Sequence, residues 1–211
     1  MSKQRMSIGP STMRVMDAKV RGNPILLNAF RLMSDGDLLF TKKRYPSVVA
    51  LAVLSLEEIG KYLLAAWTAA DPSFGYDRRQ LHKMKQGAVA SLFTSAAVRA
   101  EYKSRGIDFS DLGTPQKMAN LARAIQAGID KEATFAIAVS GKAMEAVKWS
   151  GIYYDEESAA KGIEPSKITA DNATELMQLC SKAFMQLADD GNIAIAKILF
   201  STLYGKKLLK D

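Results

Sequence analysis

The run Val48–Leu56, VVALAVLSL, constrains this chain more than any other segment. A helix on a protein surface shows one apolar stripe, whereas a helix that is apolar all round has to be buried all round. Pro46 suits the first turn of such a helix, and Asp71-Pro72 marks its end, so a helix is expected from Pro46 to about Ala70. The apolar run is far shorter than the ~20 residues a bilayer span needs, so no membrane segment is expected and the helix belongs in the middle of a bundle. It continues without a break into Glu57-Glu58-Ile59-Gly60-Lys61. An unpaired buried charge costs several kcal/mol, so these three charged groups must find partners or face a cleft. Glu57 and Lys61 are four apart with the acid nearer the amino end, the favourable order for a helix ion pair. A local bridge between them, where the helix reaches solvent, is the simplest reading. Gly60 costs about 1 kcal/mol relative to alanine inside a helix, which points to another helix or a ligand approaching the backbone there.

The remaining elements are helical by the same signals. Residues 1–22 have no sustained apolar period and read as a flexible basic arm. Asn23-Pro24 is a cap followed by proline at the first helical position, and Leu26, Phe30, Met33 and Phe40 recur at helical spacing to about Phe40. A third helix is expected from about Asp77 to Tyr102, then a loop from Lys103 to Gly113. Thr114-Pro115 repeats the cap-plus-proline signature and starts a fourth helix to about Trp149. GIYYDEESAAKGIEP reads as irregular. Helices follow over Ile168–Ala188 and Ile193–Tyr204, with Asp190-Gly191-Asn192 between them. No strand pair or internal repeat is evident. The expectation is an all-α fold, a single helical domain over residues 23–211.

Residue counts narrow the chemistry. The single cysteine, Cys180, excludes an intramolecular disulfide and a cysteine-cluster zinc site. It falls among Leu176, Leu179 and Phe184 and reads as a small buried apolar side chain. The single histidine, His82, excludes two-histidine metal motifs. No metal or other cofactor is expected. The amino terminus lacks the apolar segment of a secretory signal, which makes a cytoplasmic location the expectation. The formal charge of +7 suits a polyanionic partner such as RNA, and equally a lysine-rich solvated surface.

The third helix opens with DRRQLHKMKQ, residues 77–86. His82, Val89, Phe93 and Ala97 share one stripe, so the imidazole is expected to face inward at the start of a core face. The first turns of a helix lie at the positive end of its macrodipole, a place that suits a neutral imidazole, and a neutral ring can serve as a general base. Arg78, Arg79, Lys83 and Lys85 surround it in sequence and suggest anion binding, phosphate above all. The plainer reading is a histidine satisfied by a carboxylate beside a basic solvent face.

These segments together resemble a known family. EEIGK at Glu57–Lys61, His82 with Lys85 on the next helix, and a late loop with Lys148, Gly151, Tyr153, Tyr154, Asp155 and Pro165 occur in the order seen in the bacterial AbiV-type abortive-infection family of HEPN-like helical domains. The resemblance spans Pro24 to Phe184. It implies a HEPN-like antiparallel helical bundle with additional C-terminal helices, often a homodimer, acting in phage defence by stopping growth or translation. Many HEPN-like domains are metal-independent ribonucleases with an R-x4–6-H motif. In this chain the corresponding arginine positions are Gly75, Tyr76 and Asp77, and Arg78 and Arg79 lie three and two intervening residues from His82. By this reading an endoribonuclease would use His82, Arg78, Arg79 and Lys85 for catalysis. Glu57, Glu58, Lys61, Lys148, Tyr154 and Asp155 would supply the polar network and pocket. The alternative is a non-catalytic binding module or switch that engages a protein, such as a phage-encoded activator. Under that alternative the same polar groups serve to hold the fold.

Overall fold

The computed structural model describes residues 17–104 and 165–204, and every regular element among them is helical. Five α-helices carry the architecture: α1, Pro24–Thr41; α2, Tyr45–Ala70; α3, Leu81–Ser104; α4, Ala170–Leu187; and α5, Asp190–Tyr204. Single 3-10 turns at Arg78–Gln80 and Pro165–Lys167 precede α3 and α4. The expected fourth helix from Thr114 and the GIYYDEESAAKGIEP loop lie outside the described residues, apart from Pro165.

Capping explains where the helices begin. Asn23 accepts hydrogen bonds from the Ile25 and Leu26 amides at 3.0 and 3.3 Å, and Pro24 at the first helical position has no amide to leave unpaired. Thr169 caps α4 through a reciprocal pair with Asn172. The start of α5 is earlier than the sequence suggests. Asp189 accepts from the Gly191 amide at 2.9 Å, so Asp190-Gly191-Asn192 is the first turn of the helix and not a linker. Similarly, the segment from Asp77 opens as a 3-10 turn, with Asp77 accepting from the Arg79 amide at 2.9 Å, before α3 proper starts at Leu81.

Pairings across the bundle set its directions. Phe40 stacks edge-on with Tyr45, Gly36 abuts Val48, and Ser55 donates to the Ala29 carbonyl at 2.8 Å. As α1 is followed backwards α2 is followed forwards, so the two form an antiparallel hairpin closed by residues 42–44. Phe30 meets Phe184, Met33 meets Ser181, and Gly36 meets Met177, so α4 also runs antiparallel to α1. The other side of the bundle is α3, which packs on α2 and α5. Arg99 of α3 ties to Asp189 and to Asn192 at the α4–α5 corner.

The expectation for α2 holds for most of its circumference: one stripe, with Leu51, Leu54 and Glu58 half-buried and Lys61 and Ala65 exposed, still reaches solvent. Val48, Val49, Ala52, Val53, Leu56, Ile59, Leu63, Leu64 and Trp67 are all buried, and each large aliphatic side chain among them contributes about 1.5–3 kcal/mol. Trp67 donates its indole N–H to the Ile193 carbonyl at 3.2 Å and packs on Phe74 and Phe200. Cys180 is wholly buried, and its thiol donates to the Ala52 carbonyl at 3.2 Å. Burial pushes that thiol up to about 12, so it is a structural side chain. Residues 17–21, assigned to the arm from sequence, form a helical turn that belongs to the folded body. Val20 is buried, and Lys19 reaches Asp190 at 2.6 Å and the Leu187 carbonyl at 2.8 Å. No helix among the described residues is long and apolar enough to cross a membrane.

Candidate functional site

The site lies where the middle of α2 meets the first turns of α3. Gly60 defines the contact: a Cβ placed there would collide with the Lys85 carbonyl oxygen and sit 2.7 Å from its carbon. The approaching group that glycine implied is therefore the backbone of α3. At this separation, side chains one turn away on each helix are forced into contact.

Glu57, one turn before Gly60, is 3% exposed, and His82 is the second residue of α3. Glu57 Oε2 lies 3.0 Å from His82 Nδ1. A carboxylate offers only acceptors, so Nδ1 carries the proton and donates, and the lone pair of the neutral ring is left on Nε2. Nε2 makes no hydrogen bond among the described residues. Gln86, one turn further along α3 and 6% exposed, donates from Nε2 to Glu57 Oε1 at 3.5 Å. The carboxylate is thus held on both oxygens from the same neighbouring helix.

Two expectations require correction. The His82 side chain is 57% exposed, so the ring is not directed into the core. The stripe it shares does become core further on, with Val89 buried and Phe93 packed against the cluster, and His82 is its solvent end. The expected Glu57–Lys61 bridge does not form either. Lys61 is 48% exposed and pairs with Glu58 at 3.2 Å, while Glu57 turns to α3. The physical reason is solvation: a lysine ammonium stays in water beside an accessible acid, whereas reaching the buried Glu57 would strip its hydration.

The cations are distributed unevenly. Arg79 donates from Nε to Asp77 at 3.2 Å and is otherwise exposed. The Arg79 amide, then its guanidinium, hold the Asp77 carboxyl below the usual carboxylate range. Arg78 and Lys83 are exposed, and Arg78 has no acidic partner among the described residues. Lys85 is 9% exposed and has no ion pair among the described residues. The structure therefore brings together Glu57 and His82, places Lys85 one turn beyond on the same helix, and leaves Glu58 and Lys61 as a separate surface pair. Lys148, Tyr154 and Asp155 lie outside the described residues.

Gln86 was missed in the sequence. Its signal was available: a polar residue four after His82, on the same helical face, at the edge of the run GAVASLF. Among the described residues no group of three histidine, cysteine, aspartate or glutamate side chains could hold a metal ion.

What the arrangement can do chemically is specific. A buried carboxylate that orients an accessible imidazole through Nδ1 leaves Nε2 as a proton acceptor of fixed direction, the logic of an oriented general base. Among the comparisons with known proteins, the family model HEPN_AbiV, described as AbiV, matches residues 22–184. No curated protein and no solved structure matches the chain.

Proposed function

This chain belongs to the AbiV family of HEPN helical domains, the abortive-infection group, and on that premise we propose that it cleaves RNA in phage defence through Glu57 and His82 without a metal ion. The observation that carries the reading is the 3.0 Å contact between a buried carboxylate and an accessible imidazole. In the proposed step His82 Nε2 takes the proton of a ribose 2′-hydroxyl. The 2′-oxygen attacks the adjacent phosphorus, the bond to the 5′-oxygen breaks, and the products are a 2′,3′-cyclic phosphate and a 5′-hydroxyl protonated by solvent. Glu57 stabilises the imidazolium as it forms. Arg78, Arg79 and Lys85 supply positive charge to the phosphate oxygens. Lys148, Tyr154 and Asp155 complete the pocket in this reading. As in paired HEPN domains, the acting form is a homodimer.

RNA incubated with purified protein in excess chelator tests this directly. Cleavage should persist without divalent ions, and His82→Ala should reduce it by about 10²–10⁴-fold while the helical circular dichroism is unchanged. Glu57→Gln should also reduce it, by a smaller factor, because the amide can still accept from Nδ1 but lacks the charge that stabilises the imidazolium. Wild-type protein that leaves RNA intact, or His82→Ala protein that cleaves normally, would remove this reading.

A second reading is favoured by the burial of Glu57, Gln86 and Lys85: a polar clasp that fixes α2 on α3 in a non-catalytic switch answering a phage-encoded protein. It predicts that His82→Ala lowers the melting temperature markedly, whereas an exposed catalytic ring should be removable at little cost.

A further inference from the structure

From the two-sided hold on Glu57 we infer that Gln86 is a positioning residue that sets which ring nitrogen of His82 carries the proton. The inference rests on the reading of His82 as a general base and adds a residue to it. Gln86 is 6% exposed, and the only hydrogen bond of its side chain among the described residues is the one to Glu57 Oε1. A buried primary amide left unsatisfied is costly, so its orientation is dictated by this partner. A carboxylate cannot donate, so the amide must present Nε2 and not its carbonyl oxygen to Glu57. With Oε1 engaged by Gln86, rotation of the carboxylate about its last torsion is opposed, and Oε2 is kept on the His82 side.

Helix geometry makes the device self-consistent. His82 and Gln86 are one turn apart on α3 and reach the two oxygens of one carboxylate on α2. The Gly60 contact with the Lys85 backbone fixes the distance between the two helices at that turn. Gln86 never touches a substrate bound at Nε2; it acts through Glu57. Without it, Glu57 loses its hold on the Gln86 side, its alignment on the ring weakens, and the proton is shared more evenly between Nδ1 and Nε2. Each molecule with the proton on Nε2 lacks the base.

The chain has one histidine, so a single set of ring ¹⁵N resonances reports on it without assignment ambiguity. In the full-length protein, at a pH where the ring is neutral, wild type should show the Nδ1–H form as the dominant tautomer. Gln86→Met keeps the length of the side chain but cannot donate, and should shift the tautomer ratio toward Nε2–H by about fivefold, the equivalent of one ordinary hydrogen bond. Gln86→Leu serves if the methionine variant does not fold. If the folded variant keeps the wild-type tautomer ratio, Gln86 is merely a packing residue and the inference fails, even where the melting temperature falls. In the RNA assay the same variant should lower kcat several-fold with KM unchanged. Should wild type leave RNA intact, the nuclease reading falls, while the tautomer measurement still decides the role of Gln86.

Discussion

At the residue scale, Gly60 and Gln86 show how one atom more or fewer decides the site. Replacing Gly60 by alanine adds a methyl where the Lys85 carbonyl already stands. The obstacle is backbone, which cannot swing aside like the end of a flexible side chain, so α2 and α3 would have to separate. Overpacking of this kind costs about 1–3 kcal/mol and occasionally more, and Gly60→Ala should fall at or beyond the upper end in urea unfolding. Because the Glu57–His82 contact lies one turn away, the same variant should also lengthen it and reduce any RNA cleavage. A Gly60→Ala protein of wild-type stability would mean that the helices do not meet there. The presence of a close approach was legible in the sequence from a helical glycine beside charges. Its partner was not, because nothing in a linear chain says which neighbouring backbone fills the space.

At the scale of elements, the proline-marked starts of α1 and α2 were the most readable features and the corners between helices the least. Asn23-Pro24 opens α1 as its local chemistry demands, and Pro46 lies in the first turn of α2. Capping is an interaction among residues two or three apart, so sequence holds all of it. Thr169 with Asn172 is a further case: Thr169→Ala should lower stability by about 1 kcal/mol in denaturant unfolding, since the Asn172 amide at the start of α4 loses its acceptor. An unchanged midpoint would show that the cap contributes nothing to the fold. The α4–α5 corner illustrates the opposite limit. Asp-Gly-Asn has the composition of a loop, yet Asp189 caps it and Arg99 of α3 binds Asp189, and these contacts favour a helical turn. The tertiary partner, ninety residues away in sequence, overrides the local preference.

At the scale of the whole molecule, ion pairs join segments that are distant in the chain. Lys197 of α5 meets Asp71, just after α2, at 2.7 Å and lies over the Phe74 ring. The Lys197 hydrogen bond, assisted by Ser73, lowers the Asp71 carboxyl from 3.8 to about 2. A carboxyl with a depressed folded value stabilises the fold above its unfolded value and loses that contribution as the pH falls. The loss belongs between about pH 4 and pH 2. Asp71→Asn should therefore lower the melting temperature at neutral pH and flatten its acid dependence across that window. A variant whose melting curve parallels wild type from pH 7 to pH 2 would show that the bridge is idle. Lys19 with Asp190 likewise fastens residues 17–21 to the α4–α5 corner, which is why the folded body begins earlier than the apolar pattern suggests.

The order of residues was enough to establish an all-α chain with one largely buried helix, the family to which it belongs, and the two helices that carry its ionic groups. Burial of α2 follows from composition around a helix circumference, and such averages survive any detail of packing. Which acid meets the imidazole was decided only in three dimensions. Glu57, Glu58 and Lys61 are close to equivalent as letters, but they differ in the solvent each retains once α3 lies across Gly60. Water keeps Lys61 and Glu58 together at the surface, and the excluded Glu57 turns to His82 and Gln86, which meet its two oxygens from α3.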